Sequence, residues 1–381
     1  MTFAQILSRC VKHHRSQMHE RNLTHLIKSL MSIQDYNLKR NKVQYNGSFS
    51  SSASMISTPA DKIDIIPYEY PSVQKFPKVE FDKNGSIVSS SFVQMLRDSA
   101  PYVDAHRGKV MVVHVSSKLM KVRTYDGKVI WNSVLDDISL MWLLGVKVVL
   151  VLDCRSHVNE KIRGACSSSE EDYLPLSKDP KPIDSELLRI IKEEVGFVRF
   201  EAERCLAKSL QRFSRTASAA SGHLYLASPV GVINGKDFKH AGNIRSVDKE
   251  KVSRIHDSND IAIVSPLGIS PSGEFYFVNS HEIANRFAAS LQASKVIFCL
   301  ENSSHLLFQT SRGSELLQSL QYPDAKNLLA KYENYTDLED DVSETLLAMS
   351  ESMAPLEAGV KRAHLVNPID GALLQELYSV S

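Results

Sequence analysis

No CxxC pair, Cys/His cluster or bilayer-length apolar run occurs in this 381-residue chain. The five cysteines, Cys10, Cys154, Cys166, Cys205 and Cys299, are scattered and odd in number. That argues against a disulfide scaffold or a zinc site, so no metal is expected. No stretch approaches the ~18 uninterrupted apolar residues that a membrane span needs, so no membrane partner is expected. Charge of one sign is also missing: 45 Lys+Arg stand against 44 Asp+Glu, a net +1. Without a basic excess, nucleic acid is not an expected partner. The chain holds no GxxxxGK[ST], no GxGxxG after a strand and no GxSxG elbow. A P-loop, a dinucleotide fingerprint and a serine-hydrolase nucleophile are thereby excluded at the motif level. The expectation is a soluble intracellular protein with free thiols.

What is present is a 43% hydrophobic chain, enough to fill a core. The length allows one large domain or two modest ones. The near-zero charge conceals an asymmetry. Residues 1–45 carry eight basic residues and two acids, a local +6 that leaves −5 for the rest. Phe3, Ile6, Leu7, Cys10 and Val11 form a helical stripe with Arg9, Lys12 and Arg15 between them. An Arg-bearing, acid-poor amphipathic start has the pattern of a transit peptide, and mitochondria are expected over plastids. The pair His13–His14 lies inside this leader. Residues 46–58 are Ser-rich and read as flexible linker. Pro67, Pro71 and Pro77 keep 59–89 extended. Folding is expected to start near residue 90.

From there helical and strand patterns alternate. Phe92 to Ala100 make a helix face. Val110–Val115 and Val146–Leu152 are continuous apolar runs that suit buried parallel strands. Between them Val134 to Trp142 form a helical stripe, ended by Gly145. Residues 185–213 read as helix with a break near Gly196. His223–Ala227, Ile261–Ser265 and Val296–Leu300 read as strands, and Ser280–Ala293 as helix. Residues 301–350 look less regular, and Asp337, Glu339, Asp340 and Asp341 read as a solvated acidic loop. Lys361–Val366 is a predicted strand and Gly371–Tyr378 a predicted helix. Strands alternating with helices predict an α/β fold with a mostly parallel sheet.

Ligands of such sheets bind at the carboxyl ends of the strands. Two candidate positions follow: Ser116 and Ser117 after the first strand, and Asp153, Cys154 and Arg155 after the second. On pattern alone, plain strand-to-helix turn chemistry is the favoured account of the same residues. Residues 265–274 (SPLGISPSGE) read either as a backbone cradle for a small ligand or as a long hairpin.

Longer strings carry more information. FVQMLRDSAPYVDAHRGKVMVV (92–113), ASPVGVINGKDFKHAGNIRSVD (227–248), SPLGISPSGE (265–274) and AGVKRAHLV…DGALLQELYS (358–379) occur in this order. Together they resemble the amino-acid kinase-like domain of the N-acetylglutamate synthase family, over residues 90–379. The resemblance implies a three-layer α/β/α open sheet and a role at the first step of arginine biosynthesis. Its implied reaction transfers acetyl from acetyl-CoA, a substrate, to L-glutamate, giving N-acetyl-L-glutamate. No cofactor is implied for this chain. Arginine sensing is implied at Tyr102, His364 and Glu376, and the helix at 91–103 is implied in building a homo-oligomer or mixed oligomer.

The chain departs from the kinases related to that family. They place a Lys and a Gly-Gly pair at the first strand end, where this chain has His114, Ser116 and Ser117. Their catalytic aspartate falls on His281, in VNSHEIA (278–284). With Arg155 these form a degenerate kinase pocket, since phosphoryl transfer needs a cradle and cations. The family's acetyltransferase domain carries a CoA loop, Arg/Gln-x-x-Gly-x-Gly/Ala, which is not found here. The chain is therefore expected to hold a transit peptide and linker (1–58), an extended linker (59–89), a kinase-like domain (90–358), and a last strand and helix (359–381) leading towards an absent acetyltransferase domain. No catalytic residue is expected in it. A catalytically inactive arginine-sensing or scaffold subunit is the first alternative, and a residual N-acetylglutamate kinase the second.

Overall fold

The structure, a computed structural model, describes residues 63–66, 89–124, 127–165, 174, 180–213, 218–301, 305–310, 313–316, 320–332 and 340–378. The expected leader helix and Ser-rich linker lie outside these residues. The described chain forms two compact units, 89–107 with 369–378, and 63–66 with 108–368.

In the first unit, α1 (Ser89–His106) runs through Pro101 for 18 residues. The predicted C-terminal helix is a string of short turns: 3-10 at Ile369–Gly371, α at Ala372–Gln375 and 3-10 at Glu376–Tyr378. The last turn packs against α1.

The second unit begins with β1 (Ile63–Ile66), a strand inside the expected linker. β2 (Val110–Val115) matches its apolar run and leads into a 3-10 turn at Ser117–Met120. α2 (Ile130–Leu143) follows; Gly145, at φ +92°, occupies the left-handed position after its end. β3 (Lys147–Leu152), α3 (Arg155–Ala165) and α4 (Ser185–Leu210) come next. The break expected near Gly196 does not occur. A mid-helix glycine costs only about 1 kcal/mol. Against it stand a buried stripe of Leu188, Ile191, Val195, Val198, Ala202 and Leu206, and the Asp184 carboxylate, which accepts from Leu187 N–H at 2.8 Å.

β4 (Ala219–Ser221), β5 (Tyr225–Pro229), β6 (Val232–Ile233), β7 (Lys236–Asp237) and β8 (Gly242–Val247) precede α5 (Lys249–Asp257). β9 (Ile261–Val264), β10 (Leu267–Ile269) and β11 (Phe275–Phe277) lead to α6 (Ser280–Ser290) and β12 (Lys295–Cys299). Residues 301–350 are more regular than expected. They hold β13 (His305–Thr310), β14 (Gly313–Leu316) and α7 (Tyr322–Lys331), and most of α8 (Asp340–Glu357). Asp340 and Asp341 open α8, whereas Asp337 and Glu339 lie outside the described residues. β15 (Arg362–Val366) closes the unit.

The central sheet has the order β15-β12-β2-β3-β9-β4, and every pair in it is parallel. β2, β3, β9 and β12 are buried almost throughout, as strands covered on both faces must be. This is the α/β architecture expected of an amino-acid kinase-like domain. A second sheet, β11-β10-β5-β8, is mixed. Here SPLGISPSGE is a hairpin: the N–H of Ser270 donates to Glu274 O at 2.8 Å, and that of Gly273 to Ser270 O at 3.0 Å. Its backbone donors therefore serve the turn itself. Gly268 is obligatory by packing, because a Cβ there would lie 2.5 Å from the Tyr225 ring and 2.7 Å from Ala227 Cβ.

The chain moves from β2 through β3 and β9 to one side, and returns through β12 and β15 on the other. The sheet thus reverses direction between β2 and β12. The crevice outside the carboxyl ends at that reversal is where open α/β sheets bind ligands.

Candidate functional site: a buried polar network at the carboxyl edge of the sheet

Three elements deliver side chains to this edge. The end of β2 brings His114, Ser116 and Ser117. The β3–α3 junction brings Asp153, Arg155 and Ser156. The first turn of α6 brings Ser280 and His281, its start fixed by Asn279, whose side chain accepts from the His281 N–H at 3.0 Å. His114, Ser116, Ser117, Asp153, Arg155, Ser280 and His281 are all buried. Apolar strands force these few polar groups to find partners among themselves.

Asp153 is the hub. Its Oδ1 accepts from Ser280 Oγ at 3.0 Å and from Arg155 Nε at 3.3 Å. Its Oδ2 accepts from Ser117 Oγ at 3.2 Å and from the Arg155 main-chain N–H at 3.3 Å. Burial alone would raise this carboxyl, but the Arg155 guanidinium and the hydrogen bonds outweigh it and hold the pKa below the usual carboxylate value.

The network also fixes the histidine tautomers. Ser280 spends its single proton on Asp153, so at the 3.0 Å contact His114 Nε2 is the donor to Ser280 Oγ. Arg155 has no acceptor, so its Nη2 donates to His281 Nδ1 at 3.0 Å and the His281 proton sits on Nε2. Both imidazoles are neutral. Their ring centroids lie 4.3 Å apart, and both pack on Phe298, that of His281 stacked at 11°. Burial, opposed by Asp153 and aided by Arg155, pushes the His114 pKa down to about 4; burial, aided by His114 and then Arg155, pushes that of His281 well below its ordinary value. Protonating either ring would bury a second cation beside Arg155.

A second ion pair, between the half-buried Lys118 and the buried Glu344, adjoins the first. Lys118 Nζ lies 3.4 Å from the carboxylate of Glu344, on α8. Burial raises the Glu344 carboxyl; Lys118, then Arg155, and the Ser116 hydroxyl counter it. Cys154 is buried next to the hub, and burial pushes its thiol well above the normal range, so it is no nucleophile at neutral pH.

A phosphate cradle needs idle main-chain donors, and here three of them are occupied, although the Arg155 Nη1 and His281 Nε2 atoms are buried without a hydrogen-bond partner. The Ser116 N–H donates to Cys299 O at 3.2 Å, the Asp153 N–H to Val115 O at 3.1 Å, and the Arg155 N–H to the Asp153 carboxylate. The one guanidinium binds the one adjacent carboxylate. Phosphoryl transfer depends on aimed cations and amides, and this edge directs its own inward. Of the sequence candidates, His114, Ser117, Arg155 and His281 join one network, and Ser116 lies beside it. Ser280, Lys118 and Glu344 were missed. Serine at a helix start reads as an ordinary cap, and Lys118 and Glu344 are 226 residues apart in the chain.

The three positions implied in arginine binding fall in different places. Tyr102 is on α1, and Glu376 is half-buried in the 3-10 turn that packs on α1, within the first unit. His364 is on β15, in register with Ile297 of β12, within the second.

Comparisons with known proteins agree with this geometry. Residues 109–367 match the amino acid kinase family. An amino-acid acetyltransferase of Vibrio vulnificus is 32% identical over 299 residues, covering 77% of this chain and 64% of the relative. One from Serratia proteamaculans is 29% identical over 296 residues, covering 76% and 63%. The chain thus spans less than two thirds of the length of the curated relatives it matches. Among solved structures, the N-acetylglutamate synthase of Neisseria gonorrhoeae complexed with coenzyme A and L-arginine aligns with a TM-score of 0.62 at 28% identity, covering 76% of this chain and 63% of that one. The same enzyme complexed with coenzyme A and N-acetyl-glutamate gives 0.61 at 27%, covering 76% and 61%.

Proposed function

The chain belongs to the amino acid kinase family, and from that premise we propose that it serves acetyl transfer to glutamate, not phosphoryl transfer. The observation that carries this reading is the match to amino-acid acetyltransferases over 299 residues. The buried polar edge supports it, since a fold freed from holding nucleotide phosphates can fill that edge with its own side chains.

In the proposed reaction the amino group of L-glutamate attacks the thioester carbonyl of acetyl-CoA. An amide bond forms, the C–S bond breaks, and the proton lost by the amine leaves with the CoA thiol. In this reading the His–Ser–Asp–Arg network takes no part in the proton transfer, since both of its imidazoles are buried and held neutral. Its role is to hold β2, β3 and α6 together in a rigid domain, and the acetyl-transfer machinery lies outside it.

That domain is proposed to sense L-arginine. Glu376 offers a carboxylate that suits bidentate hydrogen bonds from a guanidinium. Tyr102, on the helix that packs against the Glu376 turn, offers an aromatic face, and His364 a ring on the last strand. A homo-oligomer or mixed oligomer is the proposed assembly. The basic 1–45 segment is proposed to direct the protein to mitochondria, which sequencing of the mature N-terminus checks: retention of Met1 in the cytosol would contradict it.

Deleting the gene in its source cells tests the function. The N-acetylglutamate pool is expected to fall and growth to require arginine, both restored by the wild-type chain. An unchanged pool would overturn the reading.

A further inference from the structure

Three atoms of the buried network have no hydrogen-bond partner within the protein: His114 Nδ1, His281 Nε2 and Arg155 Nη1. His114 and His281 are 0% exposed and Arg155 7%, so bulk solvent does not serve them. Unpaired polar groups are costly in an apolar interior, and native proteins rarely gather several in one place. These three come from three different elements: β2, α6 and the first residue of α3. Ser116 Oγ also lacks a close partner, but it is directed at the Glu344 carboxyl.

We propose that His114 Nδ1, His281 Nε2 and Arg155 Nη1 form a binding site for one small neutral molecule, a single ordered water, held between β2, α3 and α6. Each ring already gives one nitrogen to the hub side: His114 Nε2 to Ser280, and His281 Nδ1 to Arg155. The second nitrogen of each ring lies on another edge, and the ring centroids are 4.3 Å apart. One oxygen at ordinary hydrogen-bond lengths bridges two nitrogens up to about 5–6 Å apart. Nη1 belongs to the guanidinium whose Nη2 already touches His281 at 3.0 Å.

Proton count selects the occupant. His281 Nε2 and Arg155 Nη1 are donors, whereas His114 Nδ1 is an acceptor because that ring's proton sits on Nε2. The occupant must therefore accept twice and donate once. A halide or an ionised carboxylate has no proton to give and would face the His114 lone pair. A cation would face Arg155. The charges nearby already balance, Arg155 against Asp153 and Lys118 against Glu344, so an added anion would be buried without a cation of its own. Water is neutral, and buried waters typically make about three hydrogen bonds, the number of orphaned atoms here. Held there, it occupies the two donors that an anion would otherwise use. The site stands on side-chain geometry and holds whether or not the chain serves acetyl transfer.

A crystal structure of the full wild-type chain, at a resolution of about 1.5 Å, tests this. An oxygen peak is expected within about 2.7–3.2 Å of His114 Nδ1, His281 Nε2 and Arg155 Nη1. Crystals soaked in sodium bromide and read by anomalous scattering are expected to show no bromide at that position. In solution, nitrogen-15 spectra of the histidine-labelled chain are expected to place both ring protons on Nε2. The His281 ring proton is expected to show a water contact of opposite sign in laboratory-frame and rotating-frame spectra, the mark of a long-lived bound water. A map with no oxygen within reach of all three atoms would overturn the proposal. So would a bromide peak in its place, or a His114 proton found on Nδ1.

Discussion

Replacing His114 by Gln gives the most quantitative handle on the buried network. In the fold His114 is neutral, with a pKa near 4, against 6.5 for the free side chain. Between those values the unfolded chain takes up a proton that the folded chain refuses. The stabilising contribution is thus complete above pH 6.5 and is lost as pH falls towards 4. A difference of roughly 2.5 units corresponds to about 3 kcal/mol over the window, or about 1.4 kcal/mol per pH unit in its middle. Glutamine keeps an N–H donor for Ser280 and removes the titration. At pH 7 His114→Gln is expected to cost about 1–2 kcal/mol, from the lost ring packing on His281 and Phe298. At lower pH the gap should narrow, because only the wild type keeps losing stability from this site. Glu344 and Asp137, whose carboxyls burial raises, the latter to about 8, titrate in the opposite sense. They are common to both proteins and cancel in the difference. Urea unfolding followed by circular dichroism from pH 4.5 to 7 reads the two slopes. Parallel slopes would refute the neutral, proton-excluding histidine.

Other outcomes follow from the same geometry. Asp153→Asn removes the only carboxylate bonded to the buried Arg155 side chain among the described residues and is expected to lower stability by about 3–5 kcal/mol in urea titrations. The double variant Asp153→Leu/Arg155→Met should cost much less than the sum of its parts, since no lone charge is left. Gly268→Ala must displace Tyr225 or Ala227, so a loss of about 1–3 kcal/mol is expected by thermal unfolding. Calorimetric titration should show saturable arginine binding that Glu376→Gln weakens at least about tenfold; no heat from folded wild type would dismiss the sensing site.

The strands of the central sheet were legible because they are written as uninterrupted apolar runs, and β2 begins and ends where Val110–Val115 does. α2 was legible from its stripe and Gly145. The irregular forecast for 301–350 failed for a physical reason. α8 presents Ser343, Glu344, Thr345 and Ser352 as buried residues, so its inner face does not look apolar in sequence. The Gly196 break failed because a glycine penalty is local and the buried stripe of α4 is not. At the site, strand ends pointed to Ser116, Ser117, Asp153 and Arg155. The family resemblance added His114 and His281. What sequence could not supply was the pairing: Ser280 to His114 spans 166 residues, and Lys118 to Glu344 joins a turn to a distant helix. The departures from the kinase pattern are also mutually consistent. The two histidines, which the resemblance sets in the places of a lysine and an aspartate, lie with their ring centroids 4.3 Å apart and their planes tilted by 36°.

The central proposal is that this kinase-fold chain serves acetyl transfer and not phosphoryl transfer. The most direct measurement supplies the native assembly that contains the protein, isolated from its source cells, with carbon-13-labelled acetyl-CoA and glutamate, and in parallel with ATP and N-acetylglutamate. Labelled N-acetylglutamate, one per CoA released, is expected, with no ADP in the parallel reaction. ADP formed on N-acetylglutamate, with no label transferred to glutamate, would contradict it.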